Sequence, residues 1–256
     1  MQQVRKSANA IIATSRRDRH NADTLSRRYI LVDACVAAAA YAPSTTRSSQ
    51  LSARSKTLFS RSSTQCDPQF LIPNFCIGET FAVFEKYRWG ASWNRHLGAN
   101  TRLTPHQFQT SRDEFHTAIH NGTKLLQVEL NRYHILCMDL IAPINAASRI
   151  KRDRGARKNV SPASTYDLLL IAMGIWLQKE YGHTDFVIAT GDERVSLITK
   201  RAKSVKLARA MKKHLSDVAE KVGLTYGPCV YPTVVDLIRC KKAALESAFP
   251  SWQPAW

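Results

Sequence analysis

Hydrophobic and polar positions along this chain change character after residue 28. Up to Arg28 the sequence is polar and basic, and its one apolar patch, Ala10–Ala13, is too short for a secretory core. From Tyr29 onward, short apolar runs alternate with longer segments of helical spacing. Tyr29–Val32 ends in Asp33 and reads as a strand buried on both faces. The Ala-rich stretch Ala37–Ala40 suits a helix, broken at Pro43, and residues 48–62 keep Leu51, Leu58 and Phe59 at loosely helical spacing. Phe70–Pro73 predicts a second strand. Asn74 then caps a helix carrying Phe75, Ile77, Phe81, Phe84 and Tyr87 to about Arg88. Thr104-Pro105 starts a helix that reaches His120 and stops at Asn121-Gly122. Tyr133–Leu140 reads as a third strand and Ser161–Tyr181 as a long, buried helix closed by Gly182. Phe186–Ala189 is another buried strand, running into Thr190-Gly191-Asp192. A basic helical segment follows over about 193–222, then a last strand at Cys229–Tyr231 and a final helix over 233–248. This alternation predicts an α/β fold, a central, mainly parallel sheet with helices on both faces.

Composition narrows the class. With 256 residues, 44% apolar and 9% aromatic, the chain is neither disordered throughout nor fibrous. Its longest apolar run, Leu168–Leu177, falls short of the roughly 18–20 residues of a membrane helix. Six cysteines without a C-x-x-C pair read as buried free thiols in a reducing compartment, so a cytoplasmic location is expected, with no membrane partner. His116 and His120 share a helix face and read as a solvent-exposed pair rather than metal ligands.

The formal charge of +17 is concentrated in four blocks, 1–28, 42–65, 149–160 and 194–213, and the remainder is mildly acidic. Basic patches on an acidic body favour a polyanion partner, since each neutralised phosphate releases counterions. Trp89 and Trp93 are candidates for stacking a base, though aromatics at a helix end more often pack.

No phosphate-binding loop, dinucleotide fingerprint, zincin motif or nucleophile elbow is present. The acids are the unusual feature. Asp33 and Asp192 follow apolar strands, and the carboxyl ends of parallel strands line the ligand crevice of open sheets. Asp167 and Glu79 interrupt apolar helices, where a lone buried carboxylate is costly. Gly78 beside Glu79 suggests a close approach of helix and neighbour. Each acid also has a simpler role: Asp33 or Asp192 capping a helix, Asp167 favouring the macrodipole, Glu79 exposed on a turn.

With I-L-V-D, I-P-N-F-C-I-G-E, S-T-Y-D-L-L-L-I-A and V-I-A-T-G-D in this order, residues 29–240 resemble the PIN-domain family of metal-dependent nucleases. The resemblance implies a PIN-like three-layer sandwich in which Asp33, Glu79, Asp167 and Asp192 hold Mg²⁺ or Mn²⁺. Thr190 then positions a water or phosphate. The implied activity is an endoribonuclease that hydrolyses RNA phosphodiester bonds through a metal-activated water. Ala34-Cys35 depart from the small hydroxyl or Asn that often follows the first Asp. The long interval from Glu79 to Asp167 implies an insertion around 90–130 within a nuclease domain over 29–256, preceded by a basic, disordered extension over 1–28. RNA is the expected partner, with DNA, a homodimer and a protein inhibitor left open. The rival reading is a non-catalytic RNA-binding module using the same fold and basic patches. A phospho-acceptor domain needs a Lys at the end of a late strand, and Tyr231-Pro232-Thr233 offers none.

Overall fold

The structure, a computed structural model, describes residues 28–43, 49–60, 68–89, 102–122, 125–153, 163–182, 186–204 and 209–248. Residues 1–27 of the extension expected over 1–28, Cys66, Trp93, and residues 90–101 of the expected insertion lie outside them.

Five parallel strands form one sheet in the order β3-β2-β1-β4-β5. They are β1 (Tyr29–Val32), β2 (Gln69–Pro73), β3 (Leu125–Val128), β4 (Phe186–Thr190) and β5 (Thr233–Asp236). Successive strands step one way from β1 to β3, and the chain then returns to add β4 and β5 on the other side. The order therefore reverses between β1 and β4, the switch point where α/β sheets open a crevice. It is also not the flavodoxin-like 2-1-3-4-5 order, which weakens the phospho-acceptor reading independently of any lysine.

Helices α1 (Ala34–Tyr41), α2 (Ser49–Ser60), α3 (Asn74–Trp89) and α4 (Pro105–Asn121) pack on one another. Helices α5 (Arg132–Cys137), α6 (Ala142–Asp153), α7 (Thr165–Tyr181), α8 (Glu193–Ser204) and α9 (Arg209–Lys221) form a second packed group, and α10 (Lys242–Ala248) closes the described chain. Together they flank the sheet as the outer layers of a three-layer α/β sandwich. Central strands β1 and β4 are apolar because both faces are covered: Ile30, Leu31, Val32, Ile188 and Ala189 are fully buried. Gly174 of α7 is part of this contact, since a Cβ there would lie 2.6 Å from Ile188 Cδ1 and 3.1 Å from Pro232 Cγ. The close approach expected at Gly78 is absent; that residue is exposed, with no atom within 4 Å of the same construction.

Two expected strands are replaced. Residues 133–140 form α5 and a 3-10 turn (Met138–Leu140), because Asn131 caps the segment by accepting from the Tyr133 and His134 N–H groups. Its buried residues, His134, Cys137, Leu140 and Ile141, recur at helical spacing, while Ile135 and Leu136 face solvent. A short apolar run does not by itself distinguish helix from strand. The third strand is instead Leu125–Val128, paired with β2 (Phe70↔Leu125), so the residues read as an insertion include α4 and an edge strand. Residues 228–230 form a 3-10 turn, and the last strand is Thr233–Asp236, whose β-branched residues pair with β4 (Val187↔Thr233). The final helix is correspondingly shorter than 233–248. Among the described residues no helix is long and apolar enough to cross a membrane.

Candidate functional site

The register Val32↔Ala189 puts the residues after β1 beside the end of β4, and the Asp33 N–H donates to Ala189 O at 3.0 Å. Asp33 stands in the N-cap position of α1, yet its carboxylate makes no capping hydrogen bond. An Asp in that position ordinarily accepts from the first-turn N–H groups. Here Oδ2 instead accepts from Thr190 Oγ1 at 2.6 Å and from Cys35 Sγ at 3.0 Å. The simpler role does not hold for Asp33, whose side chain is turned to Thr190 and Cys35.

The same edge collects the other acids. Glu79 lies on the exposed side of α3, one turn after buried Cys76; single ligand atoms of Asp33, Cys76 and Glu79 all fall within 4.8 Å of one another. Burial, then the Asp33 charge, pushes the Cys76 thiol well above its ordinary range. Asp33 and Glu79 supply the hard oxygen donors that Mg²⁺ and Mn²⁺ prefer to sulfur. Two carboxylates completed by water and phosphate oxygens suit Mg²⁺ or Mn²⁺, and the residues present fit such an ion.

Asp167 and Asp192 are engaged differently. Asp167 forms a capping box at the start of α7: its N–H donates to Ser164 Oγ at 3.2 Å, and its Oδ2 accepts from the Ser164 N–H at 2.6 Å. Asp192 Oδ1 caps α8 by accepting from the Arg194 N–H at 2.8 Å, and both its oxygens accept from Arg194 Nε at 3.0 Å. Arg194 Nη2 also contacts Asp192 Oδ2 and reaches Asp167 Oδ2 at 3.4 Å, so one guanidinium bridges the two carboxylates. The two acids titrate in opposite directions. Burial, with Asp192 nearby, raises Asp167 despite Ser164 and Arg194. Burial also opposes the charge on Asp192, but the Arg194 hydrogen bonds outweigh it and hold that carboxyl below its ordinary value. The hydrogen bonds to Asp192 in turn raise Arg194, with Asp167 and Asp33 adding to the effect.

Thr190 joins the halves. Its buried hydroxyl donates to Asp33 and accepts from the Asp192 N–H at 2.9 Å. At Gly191 a Cβ would lie 2.9 Å from Leu51 Cδ1 of α2, so a side chain in the T-G-D turn requires the end of that leucine to shift. Asp33, Thr190, Asp192, Arg194 and Asp167 are thus joined by hydrogen bonds and ion pairs, and Glu79 offers a ligand atom within 4.8 Å of Asp33. Asp33 and Glu79 have the spacing a cation needs, whereas Asp167 and Asp192 share the single positive charge of Arg194.

The sequence reading missed four participants. Cys76 stands three residues before Glu79 on a helix, a spacing that signals a shared face. Arg194, Cys35 and Asp236 carry no such signal. Asp236 ends β5 and is buried, but its Oδ1 accepts from the Ile238 and Arg239 N–H groups and its Oδ2 pairs with Arg239 at 3.2 Å. It closes a turn. Of the aromatic candidates, Trp89 is exposed at the far end of α3, its Nε1 donating to Glu85 and Arg88 lying over its ring. His116 and His120 are exposed and stacked, with ring centroids 6.1 Å apart. The described cysteines are free thiols, of which Cys76 and Cys137 are buried and Cys229 is exposed. Two surface hollows among the described residues, about 400 and 590 Å³, lie between α1, α2 and α4 around Tyr41 and Lys56 and contain none of these acids.

No family model and no curated protein matches this chain.

Proposed function

We propose that this protein is a divalent-metal-dependent ribonuclease of PIN-like type, hydrolysing phosphodiester bonds at the carboxyl edge of its sheet. The observation that carries the reading is Asp33. It forgoes the helix cap its position offers and turns toward Glu79, within reach of one cation, at the point where strand order reverses. A phosphodiester would be repelled by this edge without a cation between them, and a divalent ion supplies both Lewis-acid polarisation and a nucleophilic water at neutral pH. Asp33 and Glu79 hold the ion. Thr190 fixes the rotation of the Asp33 carboxylate through the 2.6 Å hydrogen bond. Arg194 keeps Asp167 and Asp192 from adding two uncompensated charges to the approach path, and its partly exposed guanidinium faces an incoming phosphate. The chain's +17 charge favours RNA association before any chemistry.

The test is cleavage of mixed RNAs with Mn²⁺, with EDTA, and with Asp33→Asn. Loss of cleavage by at least about a hundredfold in the variant is expected, with an unchanged melting curve, because Asn still accepts from Thr190. Metal-independent cleavage, or cleavage persisting in Asp33→Asn, overturns the reading. One observation favours the non-catalytic RNA-binding alternative: Arg194 already engages two of the four acids. That alternative predicts steeply salt-dependent RNA binding, indifferent to metal, and no cleavage.

A further inference from the structure

Two aromatic rings stand beside the acids. Phe75 is the second residue of α3, next to Cys76, and Tyr166 is the second residue of α7, next to Asp167. The two helices belong to different packed groups, so the contact between these rings spans the carboxyl edge of the sheet. Their centroids are 6.0 Å apart and their planes 26° from parallel, an offset stack. Phe75 is half-buried, whereas Tyr166 remains 58% exposed, one of few large apolar side chains so open among the described residues. A packing role would bury such a ring. Phe75 supports one side of Tyr166 and leaves much of the phenol ring open to a further planar group.

We propose that Tyr166, braced by Phe75, is a subsite that stacks one nucleobase of the bound nucleic acid beside the acidic cluster. The inference rests on the nuclease reading for its ligand class, and it adds a base-binding residue which that reading does not contain. Three observations favour a base over another planar group. The residues adjoin in sequence Cys76 and Asp167, members of the acidic cluster proposed to hold a phosphate-bridging cation. The protein carries a large positive charge suited to a polyanion. A ring held in place by a neighbour loses little conformational freedom on stacking, which is how protein aromatics bind single-stranded bases without sequence preference. It replaces Trp89, which sits at the other end of α3, as the stacking residue.

The experiment is fluorescence anisotropy with Ca²⁺ in place of Mg²⁺ or Mn²⁺, under conditions where a gel shows the strand uncut, using a labelled single-stranded ribo-oligonucleotide and the same oligonucleotide with all bases removed. Tyr166→Ala is expected to weaken binding of the intact oligonucleotide by between about fivefold and about a hundredfold, the range for one lost base–aromatic stack. Tyr166→Phe should bind within about twofold of wild type, and the abasic strand should bind all three proteins equally. Equal binding of the intact strand by wild type and Tyr166→Ala overturns the proposal. So does a loss in Tyr166→Phe as large as in Tyr166→Ala, an equal loss with the abasic strand, or no binding by the wild type. The assay involves no catalysis, so a stacking failure is separable from a failure of the Mn²⁺-dependent cleavage test. Melting curves of both variants check the fold, which an exposed ring should leave intact.

Discussion

Replacing Gly174 by Ala tests the packing that sets the candidate site. The new Cβ would lie 2.6 Å from Ile188 Cδ1, 3.2 Å from Ile188 Cγ1 and 3.1 Å from Pro232 Cγ. Carbon atoms ordinarily rest at about 3.5–4.0 Å, so the overlap at Ile188 approaches 1 Å. Ile188 is fully buried in β4 and Pro232 is a rigid ring, so neither yields cheaply. Overpacking of this kind costs about 1–3 kcal/mol. Ala is also a better helix former than Gly by about 1 kcal/mol, which offsets part of the strain. The overlap with two neighbours places the strain near the upper end, for a net loss of about 1–2 kcal/mol. For a domain of this size that lowers the melting temperature by roughly 2–8 °C. Gly78→Ala is the matched control: also helical, exposed and without a neighbour to strike, it should stabilise by about 0.5–1 kcal/mol. Urea denaturation followed by circular dichroism reads both. Opposite signs are expected for the same chemical change. If Gly174→Ala raised the midpoint as Gly78→Ala does, α7 and β4 would not be as close as described. Asp167 lies about two turns upstream on α7, so a displaced helix should also weaken RNA cleavage in the strained variant.

Two further predictions concern stability. His134 is buried, its Nδ1 accepting from the Asn131 N–H at 3.1 Å, and burial lowers its pKa from 6.5 to about 4. The folded state holds the neutral ring, so this stabilisation is complete above pH 6.5 and is lost as pH falls toward 4. By pH 5 about 2 kcal/mol should be gone. Urea midpoints at pH 7 and pH 5 should differ by less in His134→Gln, and an identical pH dependence would refute the assignment. Tyr231 is fully buried and its hydroxyl donates to Leu140 O at 2.9 Å, so Tyr231→Phe should cost about 1–2 kcal/mol in the same assay by leaving that carbonyl unpaired. An unchanged midpoint would show that water replaces the bond.

Local patterning was enough for elements whose sequence carries both a period and a stop signal. Tyr29–Val32 before Asp33 and Phe186–Thr190 before Gly191 are strands because brief, wholly apolar runs bounded by turn residues suit the middle of a doubly covered sheet. Helix α4 begins at Thr104 with the capping box its T-P-x-Q permits and ends at Gly122, the left-handed residue that stops it. The same reasoning failed at 133–140 and 229–248. There a short apolar run fits helix or strand equally, and the decision fell to the Asn131 cap and to pairing across β4.

The acids divide along the same line. Their positions at strand ends and helix starts are written in the chain, because element boundaries are local and the sheet's parallel order sends every such boundary to one edge. What each carboxylate does there depends on neighbours remote in sequence. Asp33 meets Thr190 and Glu79, while Asp167 and Asp192 are bridged by Arg194. Likewise Tyr166 faces Phe75 only because two helices from different layers begin above the same strand ends. Hydrophobic period is a property of a segment. A hydrogen bond, an ion pair or a stacked ring belongs to two segments at once, and only folding brings them together.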